Sequence, residues 1–291
     1  MRLVHFSDVH LCRLPADPLA LFDKRLAGGL NFLLRRGGRA HPGYLDALLL
    51  RLRTLAPELV VITGDLTTTG SPEEFAAVQE RLAPLLSSRL ELLYIPGNHD
   101  AYVGERRCRA ALADAFQRFN RGRWRLDELP ARLTLGPLTL LVADECRPTP
   151  PWLSCGEVAP AAAARLRAWL DAPREDGEKR LLVGHFPLRN AAGRPLGWRR
   201  RLNGAEPLYA ALCNGRLDVA LCGHDHTPFR RDEPNGAMEL CAGAFTWHGL
   251  LNVLDYSPAT GRFSQHWESV AGDGPAPALI GAIPDAAGAG M

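Results

Sequence analysis

Five short polar clusters in this chain each follow an apolar run: Asp8-Val9-His10, Gly64-Asp65, Gly97-Asn98-His99-Asp100, Gly184-His185 and Gly223-His224-Asp225-His226. Together they offer carboxylate oxygens, an amide oxygen and imidazole nitrogens, and no thiolate. That donor set suits Mn, Fe, Zn or Mg rather than a sulfur-ligated ion. In Asp8-x-His10 and His224-x-His226 the spacing of two points both side chains to one side of an extended segment, so each pair can address one site. The glycines let the backbone turn sharply and come close to whatever the side chains hold. Any one cluster also suits an ordinary polar turn, since Asn, Asp and Gly favour turns. Five of them, each at the end of an apolar run, are what suggests a metal centre.

The elements that must position these residues are strands. Runs at Arg2–Ser7, Leu59–Thr63, Leu92–Pro96, Leu138–Ala143, Leu181–Gly184, Val219–Cys222, Met238–Ala242 and Leu250–Leu254 are short and apolar. Several lack polar alternation, as expected for strands covered on both faces. Helical patterns lie between the early runs. Tyr44–Leu55 spaces Leu45, Leu48, Leu49 and Leu52 for one helix face, and Ser71-Pro72-Glu73-Glu74 combines an N-cap, a first-turn proline and a capping-box glutamate. Ala161–Leu170 and Gly204–Leu212 are further helix candidates. The pattern predicts an α/β fold with two packed sheets over residues 1–270, and a loose Gly/Pro/Ala-rich tail over 271–291. In such sheets ligands collect at the carboxyl ends of strands.

The series D-x-H, G-D, G-N-H-D, G-H, G-H-x-H resembles the calcineurin-like metallophosphoesterase family over residues 1 to about 250. The resemblance implies an αββα sandwich carrying two divalent metal ions, with manganese the first expectation. It implies that Asp8, His10 and His226 hold one ion, that Asn98, His185 and His224 hold the other, and that Asp65 bridges them. His99 is then not a ligand but faces the leaving oxygen as a catalytic acid. Two cations about 3.5–4 Å apart make hydroxide available near neutral pH and neutralise phosphate oxygens during in-line attack. The expected activity is hydrolysis of a phosphodiester or pyrophosphate bond. One departure stands out: Val183-Gly184-His185-Phe186-Pro187 carries a single histidine where many relatives carry two.

Two basic stretches bear on the substrate. Between about 19 and 40, Leu26, Leu30, Leu33 and Leu34 fall at helical spacing with Lys24, Arg25, Arg35 and Arg36 around them. This amphipathic insert reads either as a peripheral membrane contact through 22–39 or as a helix packed on the core with solvated charges. Arg199, Arg200 and Arg201, beside Trp198, could clamp phosphate, and Lys24 and Arg25 are candidates for the same task. The insert resembles that of bacterial UDP-diacylglucosamine hydrolases, which would imply an amphiphilic UDP-linked lipid precursor. The alternative within the family is a cyclic-nucleotide phosphodiesterase; a nuclease and a non-catalytic scaffold are further readings.

Composition sets the outer limits. Net charge is +2, with 46% hydrophobic and 23% charged residues, so there is no global drive towards nucleic acid. Seven scattered cysteines without a CxxC pair suggest reduced, mostly buried thiols. Early charges disfavour a signal peptide, and no run is long enough to span a bilayer, so the expected location is cytoplasmic, with a peripheral contact at the inner membrane face as an option.

Overall fold

A computed structural model describes residues 1–13, 15–16, 22–31 and 37–270. The tail expected over 271–291 and part of the insert (32–36, with Leu33 and Leu34) lie outside the described residues.

Two mixed sheets form the centre. The first has strand order β13-β12-β1-β2-β3. Its parallel strands β1 (Arg2–Phe6), β2 (Leu59–Ile62) and β3 (Glu91–Tyr94) alternate in the chain with α1 (Lys24–Asn31), α2 (Tyr44–Leu55), α3 (Pro72–Arg81) and α4 (Ala83–Leu86). The helix α5 (Arg106–Phe119) follows. The second sheet has order β10-β11-β9-β7-β5-β4. It is built from β4 (Ala131–Leu135), β5 (Leu138–Val142), β7 (Lys179–Val183), β9 (Val219–Cys222), β10 (Phe229–Asp232) and β11 (Met238–Cys241). The helices α6 (Pro160–Asp171) and α7 (Glu206–Cys213) belong to this half, and two-residue strands β6 (Gly156–Glu157) and β8 (Leu202–Asn203) pair beside it. A short α8 (Phe245–His248) then leads back to the first sheet through β12 (Leu250–Ser257) and β13 (Arg262–Ser269).

Packing gives four layers. Leu3, Val61, Leu93 and Ile95 of the first sheet meet Leu140, Val142, Val183 and Leu221 of the second in one buried cluster. On the outer face of the first sheet, Val4, Val60 and Leu92 pack against Leu45, Leu48, Phe75, Val78, Leu112 and Phe116 from α2, α3 and α5. On the outer face of the second, Leu141, Leu182 and Ala220 pack against Leu166, Leu170, Leu208 and Leu212 from α6 and α7. Strands covered on both faces explain the continuous apolar runs. Truncating one of these leucines to alanine costs about 2–5 kcal/mol. The expected αββα sandwich is thus the observed one.

Local signals act as read. Ser71 caps α3, with its side chain accepting from the Glu74 N–H while Glu74 reaches back to Ser71, and Pro72 opens the helix. All seven cysteines are free thiols. Among the described residues no helix is long and apolar enough to cross a membrane.

Candidate metal centre

Both sheets deliver their polar clusters to one place. Asp8 and His10 follow β1, Asp65 follows β2, and Asn98 and His99 follow β3, all parallel strands. From the second sheet, His185 follows β7, and His224 and His226 follow β9, again a parallel pair. The sheets are tied at this rim. The His224 N–H donates to Asp8 Oδ2 at 3.0 Å, and His185 Nδ1 lies 2.6 Å from the Thr63 carbonyl. A Cβ at Gly223 would collide with Ser7 Oγ and Asp8 Oδ2, and one at Gly97 with the Asp65 carboxylate. These two glycines therefore permit the close approach.

Four side chains offer one ligand atom each, all within 4.8 Å of one another: Asp8, His10, Asp65 and His226. Within this group Asp8 Oδ1 lies 3.2 Å from His226 Nε2 and 3.5 Å from His10 Nε2. Asp65 Oδ2 is 3.7 Å from His10 Nε2 and 3.5 Å from His185 Nε2, so it faces two neighbourhoods at once. The second neighbourhood is completed by Asn98, whose Oδ1 lies 3.2 Å from His185 Nε2 and 2.8 Å from His224 Nδ1.

The imidazoles are oriented from behind. His10, His99 and His185 each turn Nδ1 to a backbone carbonyl, of Thr67 (3.3 Å), Thr68 (2.6 Å) and Thr63 (2.6 Å). A carbonyl only accepts, so Nδ1 carries the proton and Nε2 is directed into the site, the arrangement seen for metal-ligating histidines.

The charges favour a cation. Burial alone would raise both carboxyls, yet the neighbouring imidazoles of His10 and His226 hold Asp8 well below the usual range, and those of His185 and His99 do the same for Asp65. Burial alone would lower His185, and the Asp65 carboxylate outweighs it, lifting that imidazole to about 10, so that without a bound cation its own charge stands where a metal's would. Asp8 Oδ1 and Asp65 Oδ2 are buried and have no hydrogen-bond partner. A buried ionised oxygen without a donor is costly, by several kcal/mol per ion in real interiors. Two divalent ions fit this site, because the orphaned oxygens point among imidazole nitrogens and an amide oxygen.

The backbone is strained in the same place. Asp8 (φ 55°), His10 (49°), Asp65 (53°), His224 (65°) and His226 (62°) all occupy the left-handed region. Such residues cost of order 1–3 kcal/mol each and cluster at functional sites.

Three further groups support the site, of which Glu145 and Tyr102 were not singled out from the sequence. Glu145, buried at the end of β5, accepts the His185 and Phe186 N–H groups at 2.8 Å each. Burial pushes its carboxyl up to about 7. Its signal was present: the acidic pair Asp144-Glu145 directly follows an apolar run. Asp100 knits the Gly97–Asp100 turn, accepting from the Gly97 and Thr67 N–H groups and from the Tyr94 and Thr67 hydroxyls. Tyr102 stacks on His99 with ring centroids 5.3 Å apart and planes 13° apart.

The basic residues fall in different settings. Arg25 is buried and ion-paired to Asp23 and Glu105 at 2.7 Å each. Lys24 donates to the Thr149 carbonyl at 2.9 Å, and its ammonium lies 3.9 Å from the Tyr102 ring centroid. Arg200 donates to the His224 carbonyl at 3.1 Å and faces Asp225 at 3.5 Å. Arg199 lies exposed over Trp198, and Arg201 donates to Asn203.

The chain belongs to the calcineurin-like phosphoesterase family, whose model matches residues 1–228. A 3′,5′-cyclic-nucleotide phosphodiesterase of Nostoc sp. is 26% identical over 199 residues, covering 65% of this chain and 64% of that protein. The match thus spans just under two thirds of the relative. A probable cyclic nucleotide phosphodiesterase of Vesicomyosocius okutanii is 32% identical over 83 residues, 28% of this chain and 33% of that one. Among solved structures, a dimetal phosphatase from Danio rerio aligns with TM-score 0.58 and 16% identity, over 87% of this chain and 91% of its own. Purple acid phosphatase PPD1 from yellow lupin aligns with TM-score 0.51 and 13% identity, over 92% and 53%. At these identities the structures speak for the fold.

Proposed function

We propose that the chain is a dinuclear-metal phosphodiester hydrolase, with 3′,5′-cyclic nucleotides the first substrate class to test. The observation that carries the reading is the pair of orphaned, buried, ionised oxygens of Asp8 and Asp65 set among three imidazoles. Asp8, His10 and His226 would hold one ion, and Asn98, His185 and His224 the other, with Asp65 shared. When bound, the ions supply Lewis acidity to phosphate oxygens and ease the deprotonation of an attacking water. Mn²⁺ is the first choice of metal.

The chain's own residues do the rest. The strand ends fix the seven side chains, so little reorganisation is needed on binding. His99, with Nδ1 held by Thr68, would hand a proton from Nε2 to the departing oxygen. Arg200, anchored beside His224, is the best placed of the three consecutive arginines to meet a second phosphate or nucleotide group. The names of the two cyclic-nucleotide phosphodiesterase relatives support that substrate class.

A second reading, a UDP-linked amphiphile met at a membrane surface, draws on the exposed Leu26 and Leu30 of α1 and Phe22 just before it. Hydrolysis assays with Mn²⁺ separate the two. Turnover of cyclic AMP or cyclic GMP, with none of a UDP-linked lipid, supports the first. The reverse pattern replaces it, and two bound metals without turnover of any phosphoester leaves a scaffold.

A further inference from the structure

Among its described residues, the insert read from the sequence as a lipid- or phosphate-facing segment meets the site through one ring. Lys24, at the first position of α1, carries its ammonium 3.9 Å from the Tyr102 centroid. One turn along, Gly28 lies so close that a Cβ there would sit 2.7 Å from Tyr102 Oη. Tyr102 in turn lies nearly parallel to His99, at 5.3 Å and 13°. His10 meets His99 edge-on at 4.8 Å.

The hydrogen bond from Nδ1 to Thr68 fixes one atom of the His99 ring, and a bond at one atom does not by itself set the plane of a ring. Stacking fixes the plane. Aromatic pairs gain energy from ring orientation beyond burial, which favours one tilt. The cation over Tyr102 adds an attraction to the ring face, stronger where water is excluded. Burial lowers the Lys24 amine to about 8, in keeping with a contact largely withdrawn from solvent.

The geometry points to Tyr102 as a positioning residue for the leaving-group histidine, and to α1, through Lys24 and Gly28, as the support that holds Tyr102 in place. The inference rests on the proton-donating role proposed for His99. Its consequence is selective: an aligned acid matters most where the departing oxygen is a strong base and little where it leaves unaided.

The test uses the metal-loaded protein with two esters of similar shape, bis-p-nitrophenyl phosphate and diphenyl phosphate. Tyr102→Ala is expected to lower kcat on diphenyl phosphate at least tenfold more than on the nitrophenyl ester, with KM and metal content unchanged. Tyr102→Phe, which keeps the stack, is expected to restore most of that loss. Independently of turnover, the His99 ring-proton resonances of the zinc-loaded protein should move in Tyr102→Ala and stay in Tyr102→Phe. Should Tyr102→Ala fold poorly, Gly28→Ala displaces the same phenol and should show the same selectivity. A uniform loss on both esters, or a phenylalanine variant as impaired as the alanine one, overturns the inference. The two failures are separable by His99→Asn: if it too is uniform across the esters, the acid role itself is wrong, and if it is selective while Tyr102→Ala is not, only the positioning role falls.

Discussion

His10 and His226 bring their Nε2 atoms to 3.0 Å of each other across 216 residues of chain. Two imidazole nitrogens approach that closely when one donates an N–H to the other or when both face a shared cation. Asp8 Oδ1, 3.2 Å from one and 3.5 Å from the other, supplies the negative half of that arrangement. These three atoms, with Asp65, converge as one donor set that a single divalent cation would satisfy together.

It follows that metal should stabilise the fold. Ions that bind the native state alone stabilise by about 2.7 kcal/mol at a hundred times their Kd. Chelated protein should melt several degrees below protein with Mn²⁺, and elemental analysis should find two ions per chain. An unchanged Tm with and without metal would count against the site.

Asp65 occupies the position between the two neighbourhoods. Asp65→Asn should lower metal content at both, with affinity reduced roughly a hundredfold or more and turnover lost. Asp8→Asn should weaken one neighbourhood first, leaving about one ion per chain. Equal, partial losses in both variants would show that Asp65 is not shared.

Glu145 holds the backbone beneath His185. Glu145→Ala strands two buried N–H groups and should destabilise by about 2–5 kcal/mol. Glu145→Gln keeps an acceptor and should stay within about 1.5 kcal/mol of wild type. Urea titration of both variants checks the pair; similar losses would place the cost in packing rather than in the two hydrogen bonds.

Glu74 gives a pH dependence that does not involve the candidate metal ligands. Burial raises its carboxyl from the ordinary 4.5 to about 7, against hydrogen bonds from Thr69, Ser71 and Arg13. Because the folded value lies above the unfolded one, its favourable contribution is complete below about pH 4.5 and is lost as pH rises through about 7. Between pH 5 and 8 wild type should therefore lose stability relative to Glu74→Gln, by on the order of 3 kcal/mol at most. Parallel stability curves for the two proteins would remove Glu74 as the source.

Much of this was legible in the sequence because burial on both faces leaves unbroken apolar runs. Leu59–Ile62 and Val219–Cys222 are such strands, and their ends gave the polar clusters. β13 was not legible: it is an edge strand with alternating exposure, and Arg262, Ser264 and His266 on its open side dilute the signal. α5 has its buried Cys108, Leu112, Ala115, Phe116 and Phe119 at helical spacing, but was not among the elements read. Arg25 shows the limit of charge patterns. A basic residue in a run looks the same whether solvated or, as here, closed by Glu105 from a distant helix start. The carbonyls of Thr63, Thr67 and Thr68 that orient the histidines are invisible in principle, since every residue has one.

Five non-glycine residues with left-handed backbones at the centre mean that the protein is least comfortable where its candidate chemistry lies. Glycine at Asp8 or Asp65 would relax that conformation while removing a donor. Selection for thermal robustness alone would then erode this rim first, and the hardiest descendants of the chain would be inert ones. Strain gathered on the residues of one donor set fits use rather than architecture.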